Sequence, residues 1–354
     1  MALLFCDSFD HYATAEIAQK WTALQNGVAW SSGTINAANG RNGTQSFRVT
    51  YSNTNSTGGY LRKTLSAVSG TTAIMGFGFK IDALPGAASR TPLVSILDGA
   101  TEQVSLDINP AGTLSLYRGT AAGTLLGTSV TALSINTYYY IELKTVIHAT
   151  TGTYEIRVNS TNVLSGTGAN TAASGVAQWT GVQIGRNYSG SGAATIQDYD
   201  DLYTCDGSGA TNTDFLGPIR VKAIYADGAG ASTDFTPSAG LNFQNVDEAL
   251  TDGDTTYNSE STAGDHDTYT FAAIGLTGTV KGVQTNLMVR SDGAGAETIA
   301  PMIRISTTDY QGTTVGITTS YADSMQVYAV SPATAAAWTV SEIDGAEFGI
   351  KLVA

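Results

Sequence analysis

The sequence predicts an all-β protein, and three observations lead to this fold class. The chain has 354 residues, of which 40 are glycine and only 13% are charged, and it is rich in tyrosine, threonine and serine. This composition favours strands and tight turns over helices. Asp-Gly and Asn-Gly dipeptides, which are strong hairpin signals, occur along the whole chain. From Tyr138 to Gly166, apolar and polar residues alternate on both sides of a short glycine-containing loop, as in a hairpin with one buried face.

Short strands are expected in succession along the first 206 residues. Alternating or apolar runs predict strands over 3–9, 46–51, 59–64, 73–81, 92–98, 103–108, 113–118, 139–148, 154–159, 175–185 and 194–205. One helix is predicted over 13–21, because Ile17 and Trp21 are one helical turn apart. The alternation of glycine and phenylalanine over 76–79 indicates a strand whose outer face is closely covered.

The length is sufficient for two domains, each with its own core. A small, polar, turn-rich segment at 207–214 is predicted to be the linker between domain 1–206 and domain 215–354. In the second domain, strands over 219–225, 267–271, 280–290, 299–306, 320–330 and 348–353 predict another β-sandwich. The turns at 226–231 and 291–296 are similar and are expected to be equivalent corners.

The net charge of −13 argues against nucleic acid as a partner, because binding a phosphate backbone requires clustered positive charge. No apolar run approaches the roughly 20 residues that cross a bilayer, so membrane insertion is not expected. The first residues have neither the basic start nor the long apolar core of a signal peptide. The sequence therefore predicts a chain that begins here and is made in a cytoplasm.

An acidic strand is the first candidate for a metal site. Asp198 and Asp200 are two residues apart and therefore share one face of the predicted strand. Their oxygens could bind one hard cation such as calcium. The alternative is a solvated acidic edge that opposes aggregation between strands.

No catalytic constellation stands out in the sequence. The histidines at 11, 148 and 266 lie in unrelated contexts, and none accompanies a G-x-S-x-G nucleophile turn. Glu342, Asp344 and Glu347 approach the acidic spacing of retaining glycosidases, but Asp344-Gly345 indicates a turn where that motif needs a continuous strand. The sequence therefore predicts that the chain is not an enzyme and requires no cofactor.

The two ends of the first domain resemble a known group of proteins. The opening LLFCDSFDHY, followed by Trp21, and the closing IQDYDDLYTCDGSG resemble tailed-bacteriophage virion proteins with an N-terminal concanavalin A-like, laminin-G-like jelly roll. Segments 252–257 and 264–269, and the closing residues 338–339 with 347–349, also resemble segments of phage tail and particle proteins. The resemblance implies assembly in the host cytoplasm, a place in the virion, and contact with copies of itself and with other virion proteins.

Cys6 and Cys205 lie on the first and last predicted strands of this domain, which are neighbours in sandwiches of this type. Neither cysteine has a metal-ligand spacing. Two interpretations stay open at this point. The cysteines are either buried free thiols or a disulfide formed after release into an oxidising medium.

The function expected from the resemblance is a structural one, as a tail, neck or capsid-exterior decoration protein acting by protein assembly. The alternative is a receptor-binding adhesin that recognises host-surface glycan through the lectin-like domain. Sugar-binding sandwiches stack exposed aromatic rings on pyranose faces, although strand aromatics more often belong to the core. The candidate sugar-stacking residues in or near loops are Trp30, Tyr60, Trp179, Tyr188 and Tyr199.

Overall fold

The computed structural model describes residues 3–26, 30–51, 59–66, 68–86, 90–120, 122–185, 194–293 and 295–354. The chain divides into two compact units. The first comprises Met1–Asp10 and Trp21–Val221, and the second comprises His11–Lys20 and Lys222–Ala354. The organisation into domains 1–206 and 215–354 with a linker at 207–214 stays a prediction.

The first unit is built from antiparallel strands. In chain order they are β1 (Leu3–Asp7), β2 (Ala23–Gln25), β3 (Trp30–Asn36), β4 (Ser46–Tyr51), β5 (Tyr60–Thr64), β6 (Thr72–Ile81), β7 (Thr91–Asp98), β8 (Thr101–Ile108), β9 (Thr113–Arg118), β10 (Thr124–Ala132), β11 (Tyr139–Val146), β12 (Gly152–Val158), β13 (Thr161–Ala169), β14 (Gly181–Gly185) and β15 (Thr195–Cys205).

These strands form two sheets that enclose one core. The eight-stranded sheet has the order β13-β12-β11-β6-β15-β4-β3, with β1 also paired to β15, and the seven-stranded sheet has the order β10-β9-β8-β7-β14-β5-β2. Across the core, the Tyr199 hydroxyl of the first sheet donates to the Leu93 carbonyl of the second at 3.2 Å. The predicted all-β sandwich is confirmed, including the pairing of the first strand with the last.

The predicted hairpin and the glycine-rich strand are both present. Strands β11 and β12 pair from Ile141 opposite Val158 to Val146 opposite Thr153. In β6, the Tyr203 ring lies so close over Gly76 that an added Cβ would be 2.1 Å from its Cε1 atom. The outer face of β6 is thus closely covered, as the alternation of glycine and phenylalanine predicted.

Several predicted elements differ from the structure. The helix predicted over 13–21 is a 3-10 turn (Thr14–Glu16) followed by the four-residue helix α1 (Ile17–Lys20). The strand predicted over 219–225 is wrong, because this segment is not a strand in the structure and its Val221 amide donates to the Asp201 side chain. The corner predicted at 226–231 is also wrong, since a strand begins at Ala226.

The second unit has shorter strands and a smaller core. Besides the 3-10 turn at Thr14–Glu16 and α1, its elements are β16 (Ala226–Thr233), β17 (Thr236–Pro237), a 3-10 turn (Asn242–Asn245), β18 (Asn258–Ser259), β19 (His266–Phe271), β20 (Val283–Val289), β21 (Thr298–Ile305), β22 (Thr308–Gln311), β23 (Val315–Gly316), β24 (Ala322–Tyr328), α2 (Val340–Asp344) and β25 (Ala346–Leu352). Its main sheet has the order β16-β19-β25-β21-β22, with β23 paired to β21. Its core includes Ile303, Trp338, Ile343 and Phe348.

Candidate functional site

The acidic strand β15 carries its carboxylates on the outer face of the eight-stranded sheet. Asp198 is 1% exposed and accepts two hydrogen bonds from Arg48, at 2.8 Å to Nε and 2.9 Å to Nη2. The Lys80 ammonium lies 3.3 Å from the same carboxylate. Two cations therefore already neutralise Asp198, and the predicted cation site at Asp198 and Asp200 does not fit this arrangement.

Asp200 is buried next to Asp201, at a bulge where the backbone of Asp201 has a positive φ of 49°. Asp200 accepts hydrogen bonds from the backbone amides of Arg41, at 2.6 Å, and Asp201, at 2.7 Å. Burial, together with the neighbouring Asp201 carboxylate, raises the pKa of Asp200 to about 8. Burial also raises the pKa of Asp201, although its ion pair with Arg41 opposes the shift.

Within the described ranges, no group of three or more histidine, cysteine, aspartate or glutamate side chains could hold a metal ion. Calcium binding by this chain stays a prediction. Cys6 and Cys205 are thiols rather than a disulfide in the structure, and Cys6 lies opposite Tyr203 while Cys205 lies opposite Leu3. Burial raises the pKa of the Cys205 thiol, which makes it a poor nucleophile.

Two of the predicted sugar-stacking residues belong to the core instead. Trp179 is 2% exposed and donates its indole N–H to the Thr72 carbonyl, and Tyr199 is completely buried. Neither ring can therefore stack on a sugar at the surface. Tyr188 and the side chain of Trp30 lie outside the described residues. The remaining candidate, Tyr60, is partly exposed on β5.

Tyr60 lies on the outer face of the seven-stranded sheet, because it alternates with Leu61, which is fully buried. On the same face, five polar side chains form a row across five neighbouring strands. Gln183 is opposite both Arg62 and Ser95, Ser95 is opposite Ser105, and Ser105 is opposite Tyr117. With about 4.8 Å between strands, this polar row spans roughly 19 Å.

The middle of the polar row is a buried, hydrogen-bonded floor. Ser95 and Ser105 are fully buried and Gln183 is 1% exposed. The Gln183 carbonyl accepts from the Arg62 guanidinium at 2.8 Å, while the Gln183 amide donates to Glu102 at 3.4 Å. The other Glu102 oxygen accepts from the Ser95 hydroxyl at 3.0 Å. These bonds fix the side chains in place before any ligand arrives.

An arginine stacked on a tyrosine lies at each end of the polar row. The Arg62 guanidinium carbon is 4.6 Å from the centre of the Tyr60 ring. At the other end, the Arg90 guanidinium carbon is 4.5 Å from the centre of the Tyr117 ring, and Arg90 also donates to the Tyr117 hydroxyl. Arg62, Tyr60 and Arg90 are partly exposed. They form a rim that a ligand could contact. The floor inside this rim consists of buried side chains that are already hydrogen-bonded.

The sequence interpretation found Tyr60 but missed Arg62, Arg90, Tyr117 and Gln183. These residues lie on strands that were predicted, or beside them. Arg62 is two residues from Tyr60 on the same strand and therefore points to the same face. The missing information is the strand order, because β14 lies between β5 and β7 although it comes last in sequence among the strands of this sheet. This pairing joins residues more than a hundred positions apart, which no local pattern shows.

The arrangement can bind a ligand that has both flat apolar faces and many hydroxyl groups. The partly exposed ring of Tyr60 offers an amphipathic surface for stacking, and the guanidinium groups of Arg62 and Arg90 supply hydrogen-bond donors at fixed positions. Carbohydrates have this combination of surfaces.

No protein-family model matches the chain, and no curated protein matches it. Solved structures with a similar fold do exist. The alginate lyase Aly36B matches with a TM-score of 0.38 and 16% identity, over 56% of this chain and 95% of that one. The alginate lyase vAL-1 from Chlorella virus gives 0.38 and 10%, over 54% and 95%. The CBM2 module of the evolved Dit of Lactobacillus casei BL23 phage J-1 gives 0.38 and 14%, over 61% and 98%.

These matches correct one sequence-based prediction. The chain was predicted not to be an enzyme, but several of the matching structures are alginate lyases. The exclusion of catalysis is therefore withdrawn. Among the described residues, no helix is both long and apolar enough to cross a membrane.

Proposed function

We propose that this chain is a component of a bacteriophage particle whose first unit binds a host-surface glycan on the polar row. The observation that carries the glycan-binding part is the row itself. A ligand can contact its partly exposed rim of Arg62, Tyr60 and Arg90, which is supported by the buried, hydrogen-bonded floor of Gln183, Ser95 and Ser105. The particle part is supported by the resemblance of the first and last strands of this unit to phage virion proteins.

Binding to an array of purified bacterial surface polysaccharides tests the glycan-binding proposal. The full chain should retain at least one polysaccharide. Tyr60→Ala should weaken this binding by about 1–2 kcal/mol, because removing an aromatic ring that a ligand stacks on costs an interface roughly this much. The matched control is Tyr257→Ala, which removes a tyrosine that is 43% exposed in the second unit. Equal losses in both variants, or no retained polysaccharide, would contradict the proposal.

The particle location has a separate test. Antibody raised against the chain should label intact phage particles at regular positions in immunogold electron microscopy, on the tail, neck or capsid exterior. Unlabelled particles beside abundant soluble antigen would contradict a virion role while leaving glycan binding open to its own test. The same polysaccharides should be incubated with the chain and checked for cleavage, since a catalytic role is no longer excluded.

A further inference from the structure

The arginines of the polar row differ from most other arginines of this chain in their surroundings. Elsewhere, the guanidinium group usually lies against a carboxylate. Such ion pairs, at 2.7–2.9 Å, are formed by Arg41, Arg48, Arg157, Arg290 and Arg304. Within the described part of the chain, Arg62 and Arg90 form no ion pair and lie against tyrosine rings instead.

Glu102 and Asp107 are carboxylates on this face, away from the two ends of the row. Glu102 is partly exposed, but both its oxygens accept hydrogen bonds, one from Ser95 and one from Gln183. Asp107 is fully buried. The charged groups at the two ends of the row are the partly exposed guanidinium groups of Arg62 and Arg90, in a chain whose net charge is −13. A positive rim on an acidic protein favours a ligand that carries negative charge.

The geometry of each arginine also suits an oxyanion. A guanidinium group has five N–H donors in a planar fork that matches a carboxylate or sulfate. Among the described residues, Arg62 uses Nε and Nη2 to hold Gln183, and Arg90 uses Nη1 to hold Tyr117. Stacking on a ring fixes the plane of each guanidinium, so less side-chain entropy is lost when a ligand binds.

We infer that the polar row takes an anionic glycan, with Arg62 and Arg90 binding its carboxylate or sulfate groups. This inference rests on the proposed glycan-binding function and adds the chemical class of the ligand. Because Arg62 lies at one end of the row and the Arg90 guanidinium lies against Tyr117 at the other, they would contact acidic groups on different sugars of one chain.

Calorimetry with matched probes tests the inference on the full chain. The probes are a tetragalacturonate, its carboxyl-reduced galactose counterpart, a sulfated dextran and plain dextran. The tetragalacturonate or the sulfated dextran should bind at least about tenfold more tightly than its neutral counterpart, the scale expected for charge-assisted hydrogen bonds. Preference for only one of the two identifies carboxylate or sulfate as the acidic group.

Lysine variants separate specific recognition from general attraction. Arg62→Lys and Arg90→Lys keep the charge but lose the fork and the ring stacking, so each should reduce the preference for the anionic probe about three- to tenfold. Affinity for the neutral probe should not change. Arg220→Lys, at an exposed arginine outside the row, is the matched control and should have no effect.

The outcomes distinguish this inference from the proposed function. Equal affinity for the anionic and neutral probes, together with sensitivity to Tyr60→Ala, would overturn the inference and leave glycan binding in place. An anionic preference that both lysine variants retain would also overturn it, because the attraction would then be non-specific. Failure to bind any probe or any polysaccharide of the array would overturn both.

Discussion

Gly76 is the residue whose identity the structure explains most directly. The Tyr203 ring occupies the space that a side chain at this position would need, and its hydroxyl is held by Glu142 at 2.6 Å. The ring therefore cannot move away without breaking a buried hydrogen bond. The sequence already indicated close cover over this strand, but the covering residue lies more than a hundred positions away.

We expect Gly76→Ala to lower the free energy of unfolding by about 1–3 kcal/mol, the usual cost of overpacking. Urea unfolding followed by circular dichroism measures this change. Gly316→Ala is the control, because a Cβ at this strand position would meet no atom within 4 Å. A loss at Gly76 no larger than at Gly316 would show that the ring adjusts freely.

Asp200 is a second residue with a measurable consequence. Its pKa of about 8 in the folded chain is far above the unfolded value of 3.8. Between these values the folded state keeps a proton that the unfolded state releases. The contribution of Asp200 to stability is therefore fully present below pH 3.8 and is lost as the pH rises toward 8, at up to about 1.4 kcal/mol per pH unit.

Asp200→Asn removes this titration. The free energy of unfolding of the variant should rise relative to the original chain by a few kcal/mol between pH 4 and pH 8, and then level off. Urea titrations at several pH values measure the difference. Asp247→Asn, at an exposed aspartate, is the control for a change of charge alone. Parallel curves for the original chain and Asp200→Asn would contradict the account of this buried pair.

At the scale of elements, the segment at 214–221 forms no strand, although a strand was predicted to begin within it at residue 219. Its amides bond to side chains on the outer face of the eight-stranded sheet. Gly217 donates to Glu142 at 2.9 Å, and Val221 donates to Asp201 at 2.7 Å. The Arg157 guanidinium covers the Phe215 ring at 4.1 Å. The apolar run over 219–225 fits a strand, but the Val221 amide within it donates to a carboxylate rather than to a neighbouring strand.

Hydrogen exchange tests this anchoring. The amides of Gly217 and Val221 should exchange slowly although they lie outside any strand. Glu142→Ala should accelerate exchange at Gly217, while exchange in the seven-stranded sheet stays slow. Glu155→Ala removes a carboxylate from the same sheet that bonds to Arg157 and to no amide of this segment, so it is the control. Fast exchange at Gly217 in the original chain would contradict the anchoring.

The sequence interpretation missed strands in which buried and exposed side chains do not alternate. Most positions of β10 (Thr124–Ala132) and β13 (Thr161–Ala169) are exposed or half-buried, so neither has an apolar side to recognise. Strands with one fully buried face, such as β4 and β9, were predicted with their observed bounds. The alternation of apolar and polar residues thus predicts a strand only where one face of that strand is buried.

At the scale of the whole molecule, the fold class followed from composition and turn signals, and the structure confirms it. The candidate site did not follow, because it depends on which strands are neighbours. Tyr60 and Arg62 were on a predicted strand, and Gln183 was on another, but only the sheet order brings them together. Trp179 and Tyr199 were predicted to stack on sugars, but their rings are buried in the core.

A crystal structure of the full chain with the tightest-binding oligosaccharide tests the central claim most directly. The account predicts a sugar chain lying along the polar row, with a pyranose against Tyr60 and hydrogen bonds to Arg62 and to the arginine–tyrosine pair at the other end. A sugar bound elsewhere on the chain, with the polar row empty, would contradict it.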